Sequence, residues 1–145
     1  MFASIYSMQG GSSLFGGDFF ATGGNTIAGN GLNIVHTFTA SGTFAVVKGT
    51  ATVDYLVIAG GGGGGKRRGG GGGAGGYRAS WNSEASGGGA SSESSLTLGT
   101  GSYTCTVGAG GAGSTSDTAN GVAGVASVFG SITSVGGGSG ASNNA

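Results

Sequence analysis

Side chains capable of covalent or acid–base chemistry are few and scattered in this chain. His36 is the single histidine and Cys105 the single cysteine. The carboxylates lie far apart along the sequence: Asp18, Asp54, Glu84, Glu93 and Asp117. A nucleophile would have only His36 as its base, and neither a nucleophile elbow nor a pair of metal ligands accompanies that histidine. We therefore predict that the protein is not an enzyme and has no metal site or cofactor.

The patterns around the single histidine and the single cysteine favour structural roles. His36 alternates in phase with Ile34 and Phe38, which predicts a histidine that is packed or lies at the rim of a core. Cys105 stands between Tyr103 and Val107 in a strand-like stretch, where a buried and inert thiol is most common. A lone cysteine also excludes an internal disulfide and a thiolate cluster.

A glycine-rich turn follows an apolar stretch, as in dinucleotide-binding sites. Tyr55–Gly60 would be the strand and Gly61–Gly65 the phosphate-binding turn. Such a site needs a helix N-terminus to hold the pyrophosphate, but the next residues are Lys66-Arg67-Arg68 and a further glycine-rich run. At this glycine content the GxGxxG spacing arises by chance about three times in such a chain. The pattern does not support nucleotide binding.

The basic triplet Lys66, Arg67 and Arg68 contains three of the five basic residues and interrupts the longest glycine-rich stretch. Such a loop can contact phosphate, an anionic polysaccharide or an acidic neighbouring subunit, or it can be a solvated charge cluster that keeps the loop soluble. The candidate interaction residues are Lys66, Arg67, Arg68, Tyr77, Arg78 and Trp81. The cancelling charges and the single Arg-Gly-Gly step argue against nucleic acid as a partner.

The composition limits how the chain can fold. Glycine supplies 39 of the 145 residues and proline none, which excludes collagen. Five basic and five acidic residues cancel, whereas disordered chains usually carry high net charge. Large apolar side chains are few for a chain that must order so many glycines, so we expect it to rely on copies of itself or on a larger assembly.

Targeting segments are not evident in the sequence. Met1–Gly11 has neither the basic nor the apolar region of a secretory signal. No stretch approaches the roughly 18–20 consecutive apolar residues of a membrane-spanning helix. We expect neither secretion through such a signal nor insertion into a membrane.

The stretches that lack glycine have the residue pattern of β-strands. The longest are Leu32–Ser41, Thr50–Ala59 and Tyr77–Ser86, each of ten residues. They are rich in β-branched and aromatic residues, and Gly, Ser and Asn bound them, which predicts strands rather than helices. Thr52–Ala59 ends in a continuous apolar run, as expected of a central strand covered on both faces.

Short turns predict which strands pair. Ser41-Gly42 is expected to form a hairpin with Thr43–Val47 as its second arm, and Gly99-Thr100-Gly101 a second hairpin. The arms of the second hairpin are Ser94–Leu98 and Ser102–Val107. The last two strands, Ala126–Phe129 and Ser131–Val135, meet at Gly130.

Runs of glycine separate the strands, and we interpret them as loops gathered at one end of the domain. The runs are Gly60–Gly65, Gly69–Gly76, Gly87–Gly89, Gly108–Gly113 and Gly136–Gly140. They can be flexible loops, or extended polyproline-II-like backbones that pack closely because no Cβ separates them. The predicted fold is all-β: an antiparallel, jelly-roll-like β-sandwich with glycine-rich loops and little or no helix.

Residues 1–31 differ from residues 32–145, which we assign to the glycine-rich β-sandwich. Five of the twelve aromatic residues fall within the first twenty positions: Phe2, Tyr6, Phe15, Phe19 and Phe20. This segment is either an extra pair of strands or an arm for docking or oligomerisation.

The succession of strands and glycine runs resembles the glycine-rich domain of bacteriophage tail-fibre and other virion proteins. The resemblance covers about residues 33–140. It rests on five segments: Ile34–Phe44, Val53–Gly60 with its glycine run, Gly71–Arg78, Gly101–Gly113 and Ser127–Ile132. Members often have proline where this chain has Lys48-Gly49 and Leu98-Gly99, and the Lys66–Arg68 insertion lies outside the shared pattern.

The resemblance implies a non-enzymatic structural protein on the surface of a phage particle, either a capsid decoration (cement) protein or a short fibre component. The alternative that it implies is a tail-fibre tip adhesin that binds a host-surface glycan or receptor. The expected partners are other virion proteins and copies of the same chain, with a homotrimer favoured.

Overall fold

The computed structural model describes residues 3–8, 19–29 and 33–142, with residues 3–8 described as backbone alone. These residues form eleven β-strands in two antiparallel sheets, together with two single-turn 3₁₀ segments, Trp81–Ser83 and Gly87–Gly89. The prediction of an all-β antiparallel fold with almost no helix is therefore confirmed.

The first sheet contains the N-terminal strand in its interior. Its strand order is β3 (Thr26–Gly29), β4 (Asn33–Phe38), β1 (Ala3–Met8), β6 (Ala51–Ile58) and β7 (Tyr77–Ala79). A further strand, β8 (Leu96–Leu98), pairs with the first half of β6, while β7 pairs with its second half.

The second sheet has the order β11 (Ile132–Ser134), β10 (Ser127–Phe129), β9 (Gly101–Thr106), β5 (Gly42–Lys48) and β2 (Phe20–Thr22). It packs against the first sheet, with β6 contacting both β10 and β11. The buried core between the sheets consists of Phe38, Phe44, Val46, Val53, Tyr55, Val57, Leu98, Cys105 and Phe129. Because aromatic rings supply much of this apolar area, they dominate the packing.

Three predictions about single residues and strands are confirmed. β6 is a central strand, in which Val53, Tyr55 and Val57 on one face are buried, although Leu56 and Ile58 on the other face are only half-buried. His36 is 2% exposed, with its Nδ1 2.8 Å from the Gly23 carbonyl oxygen. Cys105 is buried, and this burial raises the pKa of its thiol to about 11, so the thiolate is scarce at neutral pH.

The predicted hairpin at Ser41-Gly42 is wrong. β4 pairs with β1 and β3 in the first sheet, whereas β5 pairs with β2 and β9 in the second. The intervening residues form a corner in which Asn25 Oδ1 accepts hydrogen bonds from the Thr39 and Ala40 N–H groups at 2.8 and 3.1 Å. Ser41 Oγ accepts a third bond, from the Val107 N–H at 2.9 Å. The hydrogen bonds of this corner are thus made with residues that are distant in sequence. The local sequence pattern cannot distinguish such a corner from a hairpin turn.

The predicted hairpin at Gly99–Gly101 is wrong for the same reason. β8 pairs with β6 in the first sheet, and β9 pairs with β5 and β10 in the second. The predicted meeting of the last two strands at Gly130 is confirmed, since β10 and β11 pair as a local hairpin with Gly130 at a φ of 56° between them. The consecutive strands β3 and β4 also pair antiparallel with each other.

The described parts of residues 1–31 are strands of both sheets. β1 lies between β4 and β6, β2 pairs with β5, and β3 pairs with β4. Phe19 packs against the core and Phe20 is 55% exposed, while Tyr6 belongs to β1. Phe2 and Phe15 lie outside the described residues. Docking or oligomerisation through this segment stays a prediction.

Candidate functional site

Five glycine-rich runs leave the sandwich and hydrogen-bond to one another as a parallel-sided bundle. We number them run 1 (residues 59–65), run 2 (70–76), run 3 (108–114), run 4 (121–125) and run 5 (135–141) and call the assembly the glycine bundle. Runs 1, 3 and 5 lead away from the sandwich and runs 2 and 4 return to it. Four of the five predicted glycine runs belong here, but Gly87–Gly89 forms a separate 3₁₀ turn.

Hydrogen bonding within the bundle repeats every three residues. In run 1, the N–H groups of Ala59, Gly62 and Gly65 each donate to a carbonyl of run 2 at 2.9 Å. Gly60 and Gly63 donate to run 4 at 3.0 and 2.8 Å, and their carbonyls accept from run 5. A period of three, with every bond made to a neighbouring run, is that of polyproline II. The runs are packed backbones, and the alternative of flexible loops is wrong.

Close approach of the backbones explains why these positions are glycine. A Cβ built on Gly60, Gly62 or Gly63 would lie 2.0 Å from a carbonyl oxygen of a neighbouring run. In run 4 the constraint falls on Gly121 and Gly124, where a Cβ would lie 2.2 and 2.0 Å from carbonyl oxygens of run 1. Sequence reasoning missed run 4, although glycine at every third position was the signal that could have found it.

The distal tip is the end of the bundle that is farthest from the sandwich. It consists of residues 66–69, which join runs 1 and 2, residues 115–120, which join runs 3 and 4, and Ser142 after run 5. At about 3.1 Å per residue, run 1 places it roughly 19 Å from the end of β6. The runs carry no titratable side chain, so the charged groups at this end of the molecule all lie in the tip.

Hydrogen bonds between the three connections hold the tip together. Ser142 Oγ accepts from the Lys66 N–H at 3.0 Å, and the Ser142 N–H donates to Asn120 Oδ1 at 3.0 Å. The Lys66 ammonium donates to the Thr115 carbonyl oxygen at 3.0 Å. The basic triplet is therefore fixed against two segments that are distant in sequence.

The tip contains three cations and one carboxylate. Asp117 pairs with Lys66 Nζ at 3.3 Å and with an Arg67 guanidinium nitrogen at 2.9 Å. Arg68 is exposed and has no ion pair among the described residues. Exposed pairs of this kind contribute only about 0–1 kcal/mol each. Their effect here is to position the side chains and to leave the tip with net positive charge.

Arg67 occupies a backbone conformation that favours glycine. Its φ is 58°, and the Gly69 N–H donates to the Lys66 carbonyl oxygen at 3.0 Å to close the turn. A non-glycine residue in the left-handed region costs roughly 1–2 kcal/mol. The turn therefore has an arginine at a position where glycine would avoid this strain.

Arg78, another of the predicted interaction residues, lies in β7 of the sandwich and forms an ion pair there with Glu93. Its guanidinium donates two hydrogen bonds to Glu93, at 2.5 and 2.7 Å, and Tyr55 Oη donates a third to the same carboxylate at 2.9 Å. The bonds from Arg78 lower the pKa of Glu93. Burial and the Glu93 hydrogen bond raise the pKa of Tyr55 to about 12.

Tyr77 and Trp81 lie with Arg78 at the sandwich end of run 2, so the structure separates the predicted residues into two groups. Tyr77 Oη donates to Glu84, and Trp81 begins the 3₁₀ turn that also contains Asn82 at a φ of 48°. Asp54 anchors the flanks of this loop, because its Oδ1 accepts from two serine hydroxyls, Ser80 at 2.8 Å and Ser95 at 2.6 Å.

Metal and membrane features were also sought. Across the described ranges, no cluster of three or more His, Cys, Asp and Glu side chains could hold a metal ion. None of the helical segments in the described ranges is long and apolar enough to span a membrane.

Comparison with known proteins gives one match. A model of a family described as a glycine-rich domain matches residues 37–145. Neither the curated proteins nor the solved structures give a match. The matched region covers most of the chain, including β5 to β11 and the whole glycine bundle, and the chain therefore belongs to this family of glycine-rich domains.

Proposed function

We propose that this member of the glycine-rich domain family is a non-enzymatic structural protein exposed on the surface of a bacteriophage particle, as a capsid decoration protein or a short fibre component. The resemblance of residues 33–140 to virion proteins supports the phage context. The observation that carries the structural role is the glycine bundle, because a spacer of hydrogen-bonded backbone without titratable groups suits display rather than catalysis.

The two ends of the molecule suit different contacts. The sandwich end has exposed large apolar side chains, with Phe20 55%, Ile27 54% and Val47 55% exposed. Phe20 and Ile27 also line an apolar groove of about 190 Å³. Exposed apolar patches favour protein contacts, whereas the distal tip is polar and charged. In this proposal the sandwich contacts other virion proteins or further copies of the chain, as a trimer, and the bundle points outward.

Particle localisation tests the proposal in the phage that encodes the chain. A short epitope inserted after Ser116 lies at the distal tip, and particles purified through a density gradient are then labelled with gold-coupled antibody. We expect one regular set of labelled positions on intact particles. Protein that is confined to the infected-cell lysate and missing from purified particles would contradict the proposal.

Docking through the sandwich is tested by Phe20→Ser, because deletion of the N-terminal segment would remove β1 from the interior of a sheet. The expected result is reduced incorporation of the variant into particles with little change in its thermal unfolding. Val122→Ser provides the matched control, since Val122 is 58% exposed on the bundle. Equal incorporation of Phe20→Ser and wild type would argue against this docking side.

The basic distal tip favours a second function, a tail-fibre tip adhesin. Neutralising Lys66, Arg67 and Arg68 together is expected to lower adsorption to host cells while incorporation into particles stays unchanged. Unchanged adsorption would count against the adhesin and would leave the structural role as proposed.

A further inference from the structure

We infer that the distal tip is a binding site for anionic carbohydrate, that is, a glycan with repeated phosphate or carboxylate groups. Arg67 and Arg68 contact the anionic groups, and Asp117 is the internal counter-ion that holds Lys66 and Arg67 in position. This inference deepens the adhesive form of the proposed function and rests on it only for where the glycan occurs.

The charge balance of the tip is the first reason. One carboxylate, Asp117, faces both Lys66 and Arg67, and Arg68 beside them has no ion pair within the described ranges. The planar guanidinium groups can donate two parallel hydrogen bonds to a phosphate or carboxylate. An incoming anion can therefore bind Arg68 directly and share Arg67 with Asp117.

The conformation of Arg67 is an independent reason. Its φ of 58° is one that glycine adopts without strain, and glycine follows this turn at once, at Gly69. The chain carries 39 glycines but places an arginine at this position. Strained positions concentrate at functional sites, since the surrounding structure must maintain them. Retention of this side chain is explained if the guanidinium binds a ligand.

The neighbouring side chains favour carbohydrate over nucleic acid. The connection that contains Asp117 also carries exposed hydroxyl and amide side chains: Thr115, Ser116, Thr118 and Asn120. Such groups both donate and accept hydrogen bonds, as sugar hydroxyls require. Recognition of single-stranded nucleic acid relies on aromatic side chains that stack on bases, and residues 66–69, 115–120 and 142 include none.

The tip is also fixed before a ligand binds. Lys66 is held through its backbone N–H by Ser142 and through its ammonium by Thr115, and Ser114 and Ser116 order the second connection through their own hydroxyls. A site whose backbone is already fixed loses little conformational freedom on binding. Multiple weak ionic contacts to a repeating polymer then add through effective concentration.

Binding of the purified full chain to immobilised polymers tests the inference. The probes are phosphorylated dextran, a polyuronate, unmodified dextran and polyuridylic acid matched in charge density, each titrated with protein at several NaCl concentrations. We expect salt-sensitive binding to phosphorylated dextran or to the polyuronate and none to unmodified dextran. Preference between these two identifies the anionic group, and either preference supports the site.

Four variants locate the binding. Arg68→Gln and Arg67→Gly should each weaken binding by about fivefold to tenfold. Asp117→Asn should strengthen it by about threefold, because two cations lose their counter-ion. Lys48→Gln is the matched control, since it removes one exposed cation from the sandwich. Arg67→Gly should keep or raise the melting temperature, so its loss of binding cannot come from unfolding.

Three results would overturn the inference. They are the absence of salt-sensitive binding to both anionic glycans, an equal loss in Lys48→Gln and Arg68→Gln, or binding of polyuridylic acid as tight as that of the glycans. None of these results depends on particles, so failure here leaves the localisation test intact, and failure of localisation leaves this binding test intact.

Discussion

The sandwich and the glycine bundle are two regions of one chain that hold together by opposite means. In the sandwich, side chains such as Phe44 and Phe129, with ring centroids 5.9 Å apart, fill the space between the sheets. In the bundle there is no space to fill, and backbone carbonyl and amide groups bond directly across the contacts. One region depends on apolar volume and the other on its absence, so removal of side-chain atoms should destabilise the sandwich and addition of side-chain atoms should destabilise the bundle.

The largest effect is expected from emptying the core of the sandwich. Phe44 is fully buried and contacts both His36 and Phe129. Phe44→Ala should lower the free energy of unfolding by about 3–5 kcal/mol, because transfer energy is lost and a cavity remains. Denaturant unfolding measures this, and Val47→Ala is the exposed control on the same strand, with an expected change within about 0.5 kcal/mol.

The bundle should be destabilised by an added methyl group, whereas the sandwich is destabilised by the removal of side-chain atoms. A Cβ at Gly63 would lie 2.0 Å from the Ala112 carbonyl oxygen, and backbone cannot move aside as a side chain can. Gly63→Ala should cost about 3 kcal/mol, at the upper end of overpacking effects. Chemical denaturation measures the cost.

Gly71 supplies the matched control for that substitution in the same bundle. A Cβ there would meet nothing within 4 Å, so Gly71→Ala should be neutral or stabilising by about 0.4–1 kcal/mol. Equal destabilisation by Gly63→Ala and Gly71→Ala would mean that close backbone packing is not what selects glycine.

Acid should weaken the sandwich rather than the bundle. Arg78 lowers the pKa of Glu93 in the folded state, so the stabilisation is complete above the unfolded pKa near 4.3 and is lost as pH falls through the folded pKa. Glu93→Gln should cost about 1–2 kcal/mol at pH 7 and flatten this acid dependence. Unfolding curves between pH 7 and pH 3 test it, with the exposed Glu84→Gln as control; an unchanged acid dependence in Glu93→Gln would contradict the assignment.

The smallest effect concerns the turn at the tip. Arg67→Gly relieves the strain of a left-handed backbone conformation but also removes an exposed ion pair with Asp117. The variant should therefore be more stable than the wild type by between zero and about 1 kcal/mol. Differential scanning calorimetry measures it. Clear destabilisation would show that the Arg67 pair with Asp117 holds the tip more strongly than its exposure suggests.

Strand-level features were predictable because they depend on local alternation. The pattern of Ile34, His36 and Phe38 correctly predicted a packed histidine, and the apolar end of β6 correctly predicted a central strand. The corners at Ser41 and at Gly99–Gly101 were not predictable, because the strands that complete them, β1 among them, come from elsewhere in the sequence. A connection of two or three residues is compatible both with a hairpin within one sheet and with a corner between two sheets.

The site was predictable in part for a similar reason. The basic triplet was visible as a break in a glycine run, but its counter-ion Asp117 lies about fifty residues further along. The register of the bundle brings the two together, and that register depends on backbone hydrogen bonds that have no side-chain signal. Run 2 separates the triplet from Trp81, because the triplet precedes this run at the distal tip and Trp81 follows it at the sandwich.

Amide hydrogen exchange of run 1 tests most directly that the glycine runs form a hydrogen-bonded bundle. In the described structure every residue of run 1 donates its N–H to another run except Gly61 and Gly64, which act only as acceptors. We predict slow exchange for the donors, by at least about 100-fold, and fast exchange at Gly61 and Gly64, a pattern with a period of three. Uniformly fast exchange throughout run 1 would contradict the account and return these segments to flexible loops.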